Sequence, residues 1–157
     1  MTLVEKKLNL IMAASEAAPY AKTGGLADVV GALSKALVAR DVSVSVFLPL
    51  YAEINQKRFP LKPTGQTITV PISDRLETGE IFSHELAGIQ YYFIKNNQYF
   101  NRPGLYGTNE GDYPDNAARF VFFSRAVLES AKALNLRPDI LHSHDWHTGL
   151  IPVFLKT

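Results

Sequence analysis

Near the start of the chain, Leu8, Leu10, Ile11, Met12, Ala13 and Ala14 form an almost unbroken apolar run. Alternation marks a strand with one wet face, whereas an unbroken run marks a strand covered on both faces, as in a parallel sheet. Pro19, Gly24 and Gly25 then punctuate a loop, and Leu26, Val29, Val30, Leu33 and Leu37 recur at helical spacing. Val42, Val44, Val46 and Leu48 alternate with Ser43 and Ser45 before Pro49, which predicts a second strand and so a βαβ opening. From Tyr51 to Gly111 the pattern changes. Thr67 to Ile72, Ile81 to Leu86 and Gln90 to Ile94 are β-rich runs broken by Gly79 and Gly88, and they read as hairpin-type insertions. Asn96 to Asp115 has no period and reads as a long surface loop. Ala117, Phe120, Val121, Ser124, Val127, Leu128, Ala131 and Leu134 trace one face of a helix, with Pro138 just beyond it. Asp139 to His142 reads as another buried strand ending in a polar cluster, and Gly149 to Leu155 begins a further apolar segment. The expected fold class is α/β: a Rossmann-like, mostly parallel sheet with helices on both faces.

Composition adds boundaries to this picture. The 157 residues, 46% of them hydrophobic, suit one domain with one core. Lys and Arg total 16 against 15 for Asp and Glu, which gives no electrostatic reason to expect nucleic acid or an anionic membrane as partner. The absence of cysteine removes disulfides, thiolate metal sites and cysteine nucleophiles together. Charged residues in Met1 to Lys7 and the early interruption at Glu16 argue against a membrane span, and Leu8 to Ser15 carries no cleavage-site pattern. The expected location is cytoplasmic, or plastid in a plant, although no transit peptide is seen. The chain stops at Thr157 while still apolar, so a truncated domain is expected.

Three places carry candidate chemistry. In Lys22-Thr23-Gly24-Gly25-Leu26-Ala27-Asp28, between the first strand and its helix, two glycines allow close backbone approach. The helix start offers unpaired N–H groups and Lys22 adds a full charge, which together suit an anionic nucleotide tail. The spacing matches neither the P-loop nor the dinucleotide glycine fingerprint. The bland alternative is an ordinary βα turn with a solvated lysine, with Asp28 as a first-turn acid. The second place, His142-Ser143-His144-Asp145-Trp146-His147, brings three histidines and an acid to a strand tip. His142 and His144, two apart on a strand, share one face and with an additional ligand could hold zinc, but no cysteine set or His-Glu-x-x-His helix supports such a site, so no metal is expected. His144 and Asp145 suit hydrogen bonds to sugar hydroxyls, and His142 reads as a buried core residue. The third is Tyr113-Pro114-Asp115-Asn116, where Asp115 or Asn116 is a natural helix N-cap or, alternatively, a ligand for a substrate hydroxyl. Tyr99, Phe100, Tyr106 and Tyr113 either stack on sugar rings or pack the loop.

In order along the chain stand Ser15-Glu16, the segment Lys22 to Leu33, Phe100-Asn101-Arg102-Pro103-Gly104-Leu105-Tyr106-Gly107, Asp115 to Phe120 and His144-Asp145-Trp146-His147. Together they closely resemble the bacterial glycogen synthase and plant starch synthase family, from about Leu8 to Leu155. The resemblance implies the N-terminal half of a GT-B architecture, two Rossmann-like domains facing each other across a cleft. It implies a retaining transfer of glucose from ADP-glucose to the non-reducing end of an α-1,4-glucan, with ADP-glucose as substrate and no cofactor. Asp115 and His144 are implied beside the transferred glucose as the catalytic pair. Lys22, Gly24, Gly25, Asp28, Phe100, Asn116 and Asp145 are implied in substrate binding, with no nucleophile nominated. Asn101 stands where many relatives have Asp, and Ser34 where they often have Pro. The family's C-terminal nucleotide-binding domain is missing, so this piece alone is expected not to catalyse transfer. The alternatives are a non-catalytic glucan- or nucleotide-sugar-binding module and a dinucleotide-dependent enzyme, the latter disfavoured by the missing glycine fingerprint. One physical expectation underlies the rest: Lys22 and His144 converge on one wall of a cleft.

Overall fold

The first apolar run becomes an interior strand of a six-stranded sheet, one place in from its edge. In the computed structural model, which describes residues 7–156, β1 (Asn9–Ala13) is buried from Leu10 onward. It pairs in parallel with β2 (Ser43–Pro49) on one side and with β8 (Ile140–Ser143) on the other. The readings that fell on residues 1–6 and on Thr157 lie outside the described residues.

The sheet order is β3-β4-β5-β2-β1-β8, with β3 spanning Lys62–Ile72, β4 Arg75–Leu86 and β5 Ile89–Lys95. The chain passes from β1 to β2 through α1 (Gly25–Val38), and from β5 to β8 through α3 (Asn116–Ala133). These crossovers run in opposite directions along the sheet, so their shared right-handedness sends α1 and α3 to opposite faces. After β8 the chain makes a 3₁₀ turn, Trp146–Thr148, and the short helix α4 (Ile151–Phe154), both packed on α3. The loops that follow β1 and β8 therefore leave neighbouring strands toward opposite faces. That is a topological switch point, where an open α/β sheet has its ligand crevice.

Several sequence expectations change. Gln90 to Ile94 lies in no insertion: β5 pairs in parallel with β2 and belongs to the central sheet. Ile89, Tyr91 and Phe93 on one face and Ile94 on the other are buried for that reason. Gly79 does not break a strand either. It sits inside β4, opposite Ile68, where a Cβ would meet Ile68 Cδ1 at 3.1 Å, Ile94 Cγ2 at 3.2 Å and Phe122 Cζ at 3.3 Å. Gly88 does mark a turn, with φ +74° beside Ala87 at φ +54°, as a two-residue hairpin connection requires. In α1 the buried positions are Ala27, Val30, Gly31 and Ser34, while Val29 is exposed. The apolar positions read from sequence thus overstate the buried stripe. Gly31 lets the helix approach the loop, since a Cβ there would stand 3.0 Å from the Ala18 carbonyl oxygen. Strand β8 is half-buried and not fully covered, with Ile140 exposed, because it has a described neighbour on one side only.

The segment from Asn96 to Asp115 is also more than a surface loop. It holds α2 (Asn97–Phe100) and a small hairpin of β6 (Gly107–Thr108) and β7 (Gly111–Asp112). Tyr99, Phe100 and Leu105 are buried in the core, which ties this segment to the body of the fold.

Candidate functional site

At the carboxyl ends of β1 and β8 the backbone itself joins two of the candidate segments. Ala13 pairs with Ser143, and the His144 N–H donates to the Ala13 carbonyl at 3.0 Å. The Ser15–Gly25 loop and the His144–His147 turn therefore leave the same edge of the sheet side by side.

Within the first loop Glu16 is buried, and its carboxylate accepts four hydrogen bonds. Oε2 takes the N–H of Thr23 at 2.6 Å and of Gly24 at 3.2 Å, while Oε1 takes the hydroxyls of Thr23 and Tyr106, each at 2.7 Å. Burial alone would raise the carboxyl's pKa, but the donors outweigh it and hold it below the usual range. Gly24 begins α1 without a side-chain cap, and Gly24 and Gly25 are open on the side where a Cβ would stand. Lys22 reaches forward to Asp28, with Nζ 2.7 Å from both carboxylate oxygens. Both side chains are more than half exposed, so the pair holds Lys22 loosely, by about 0 to 1 kcal/mol.

The second segment contributes imidazoles. His142 and His144 stack with ring centroids 4.1 Å apart and planes 18° apart. His142 is half-buried on the edge strand, not deep in the core. His144 is buried, and its Nε2 has no hydrogen-bond partner among the described residues. Burial, and then the neighbouring His142, push its pKa down to about 4, so at neutral pH the ring is an uncharged donor and acceptor. Asp145 holds φ +62° and ψ −179°, a region that side chains rarely adopt, and its Oδ1 accepts the Trp146 N–H at 2.6 Å. Among the described residues no three His, Cys, Asp or Glu side chains are placed to hold a metal ion.

The third segment is arranged differently from either reading of it. Asp115 stands at the N-cap of α3, but its carboxylate makes no cap bond. It is held instead by Arg102, whose Nη1 and Nη2 each donate at 2.7 Å. The guanidinium is the main reason that the Asp115 carboxyl lies below its ordinary pKa. Asn116 donates through Nδ2 to the Tyr106 carbonyl at 2.8 Å and accepts from Arg119 Nη1 at 2.6 Å. Arg119 is fully buried, donates through Nε to the Tyr99 carbonyl at 2.7 Å, and lies 5.0 to 5.5 Å from the ring centres of Tyr113, Phe120 and Phe100.

Phe100 needs correcting as a substrate-binding residue. It is fully buried, in ring contact with Tyr51, Phe120, Phe122 and Phe123, so its side chain packs the core and has no surface to offer a ligand. Tyr106 is the aromatic residue that reaches the site, stacked on His147 with centroids 4.7 Å apart. Sequence reasoning missed the roles of Arg102 and Arg119, whose partners lie across loop distances that no periodicity marks. Glu16 carried a signal, an acid ending an apolar strand beside a glycine turn.

Residues 9–157 match the starch synthase catalytic domain family. The chain is 50% identical over 151 residues to a glycogen synthase of Elusimicrobium minutum and 49% identical over 151 residues to one of Koribacter versatilis. Each alignment covers 96% of this chain and 31% of the relative, so the chain spans about a third of their length. Among solved structures it resembles the catalytic domain of starch synthase IV from Arabidopsis thaliana bound to ADP and acarbose. The TM-score is 0.84 at 32% identity, over 96% of this chain and 30% of that one.

Proposed function

The chain belongs to the starch synthase catalytic domain family, and on that premise we propose that the whole protein moves glucose from ADP-glucose to the non-reducing end of an α-1,4-glucan with retention. Residues 1–157 form part of the first domain, and the length that the relatives have beyond it supplies the second, nucleotide-binding domain. The observation that carries this reading is the shared sheet edge. The loop that ends in the glycine turn and the turn that carries the buried His144 start from neighbouring strand ends, joined by the bond from His144 N–H to the Ala13 carbonyl, and Tyr106 touches both, through Glu16 and through His147. In support of a nucleotide-sugar and glucan ligand, the starch synthase IV structure holds ADP and acarbose.

In this reading the departing ADP develops charge that Lys22 and the N–H groups at the start of α1 stabilise. The exposed pair of Lys22 with Asp28 is weak enough for a diphosphate to displace the carboxylate. Gly24 and Gly25 leave room for the phosphates to approach the backbone. His144, neutral near pH 7, offers a directed hydrogen bond to a sugar hydroxyl, and Asp115, oriented by Arg102, accepts another. Asn116 and Asp145 complete the polar wall. Orientation and fixed charge lower the barrier, and no side chain of this chain is assigned as nucleophile.

The test is transfer itself. The intact protein incubated with ADP-glucose and a maltooligosaccharide should lengthen the glucan, and the 157-residue chain alone should not. Lys22→Ala in the intact protein should lower kcat/KM by about tenfold or more, the loss expected for a charged contact to phosphate. Binding of either sugar ligand without elongation by the intact protein would point instead to a binding module, and unchanged kinetics would remove Lys22 from the site.

A further inference from the structure

Glu16 is an unusual group to find beneath a turn that receives an anion. It is 3% exposed, yet no lysine, arginine or histidine lies within ion-pair distance of it among the described residues. Its charge is met by two donors on each oxygen, and three of the four come from Thr23 and Gly24. The fourth is the Tyr106 hydroxyl. Tyr106 has a single proton and gives it to the carboxylate, so Ser15 Oγ, 2.8 Å away, donates to the tyrosine oxygen. Donation thereby runs from Ser15 through Tyr106 to Glu16, each hydroxyl polarising the next bond, and Thr23 and Gly24 donate to the same carboxylate from the other side.

Tyr106 also touches the other two candidate segments. Its carbonyl accepts from Asn116 Nδ2 at 2.8 Å, and its ring stacks on His147 at 4.7 Å. One residue therefore fixes the glycine turn through Glu16, the start of α3 through Asn116, and the histidine turn through its ring.

We propose that Glu16, locked by the Tyr106 hydroxyl, is a positioning residue that holds the Thr23-Gly24 turn in the shape that receives a nucleotide diphosphate. This inference rests on the proposed transferase reading. Glu16 does not touch the diphosphate. It takes the Thr23 and Gly24 N–H groups for itself and turns the next residues, Gly25 to Ala27, so that the start of α1 and Lys22 face the anion. The shared carboxylate leaves the turn only one arrangement, and four donors spread its charge so that it repels the incoming phosphates less.

The test compares Glu16→Gln and Tyr106→Phe in the intact protein. In Glu16→Gln the amide accepts through its oxygen alone, so the turn loses bonds on one side. Tyr106→Phe keeps the stack on His147 and removes only the hydroxyl. Glu16→Gln should raise KM for ADP-glucose by about tenfold and lower kcat as well, because the misplaced turn weakens binding of the diphosphate and stabilisation of the charge it gains on departure. Tyr106→Phe should raise that KM less, and KM for the glucan should stay unchanged in both. A merely structural role would lower the active fraction, and so kcat, at constant KM. An NMR readout runs in parallel: the Thr23 amide proton, in a short bond to a carboxylate, should move upfield in both variants. Unchanged KM for ADP-glucose in both variants, or an unmoved Thr23 amide, overturns the proposal. If the unaltered protein transfers no glucose, the transferase reading fails, and the Thr23 amide alone then decides whether the clamp exists.

Discussion

His144 shows how a single side chain links stability to function. Burial disfavours its charged ring and His142 adds like-charge repulsion, so its pKa falls from 6.5 to about 4. Between these values the unfolded chain takes up a proton that the folded one refuses, so stability falls as pH drops from 6.5 toward 4 and levels off below. The contribution is roughly 3 kcal/mol over that window. His147, also lowered chiefly by burial, acts in the same direction. Glu16 and Asp115, both held below their ordinary values, lose their contribution only at more acid pH. Between about pH 7 and pH 4.5, the denaturant midpoint should therefore fall more steeply for the native protein than for His144→Gln, and equal slopes would show that the ring is not buried in its neutral form. The position of this histidine at a strand tip was legible from the apolar run before it. The two-residue spacing put it on the same face as His142, but its burial depends on neighbours that are distant in sequence. For Asp115 the local pattern suggested a helix cap, and a guanidinium 13 residues earlier, on an aperiodic segment, took the carboxylate instead.

Among the elements, helix α3 and strands β1 and β2 follow the apolar spacing closely, since period and burial agree there, whereas α1 forms where the spacing puts it but buries Ala27, Val30, Gly31 and Ser34. Strands β3 to β5 were legible as strands but not as partners, because pairing is set by tertiary register and not by any local residue. Gly79 is the sharpest case. Read locally it is a breaker, yet in β4 it is the small residue that lets Phe122 of α3 press on the sheet. Strand propensity alone would predict that Gly79→Val stabilises the protein. Packing predicts the reverse, a loss of about 1 to 3 kcal/mol from crowding Ile68, Ile94 and Phe122. Urea unfolding of the variant distinguishes them, and a raised midpoint would contradict the packing described for this layer. The Asn96–Asp115 segment was read as a surface loop from its polar, aperiodic composition, but Tyr99, Phe100 and Leu105 anchor it, and that anchoring brings Tyr106 to the site.

At the level of the whole molecule, the strand order does what no motif does alone: it puts β1 and β8 side by side with their following loops directed to opposite faces. A ligand bridging that crevice must touch both loops. The most direct measurement is an NMR titration of the intact protein with ADP-glucose, following the amides of Gly24 and Gly25 together with those of His144 and Asp145. Both sets should shift and saturate with one dissociation constant. Shifts confined to one set, or saturating at two different constants, would contradict a single cleft wall built from the glycine turn and the histidine tip.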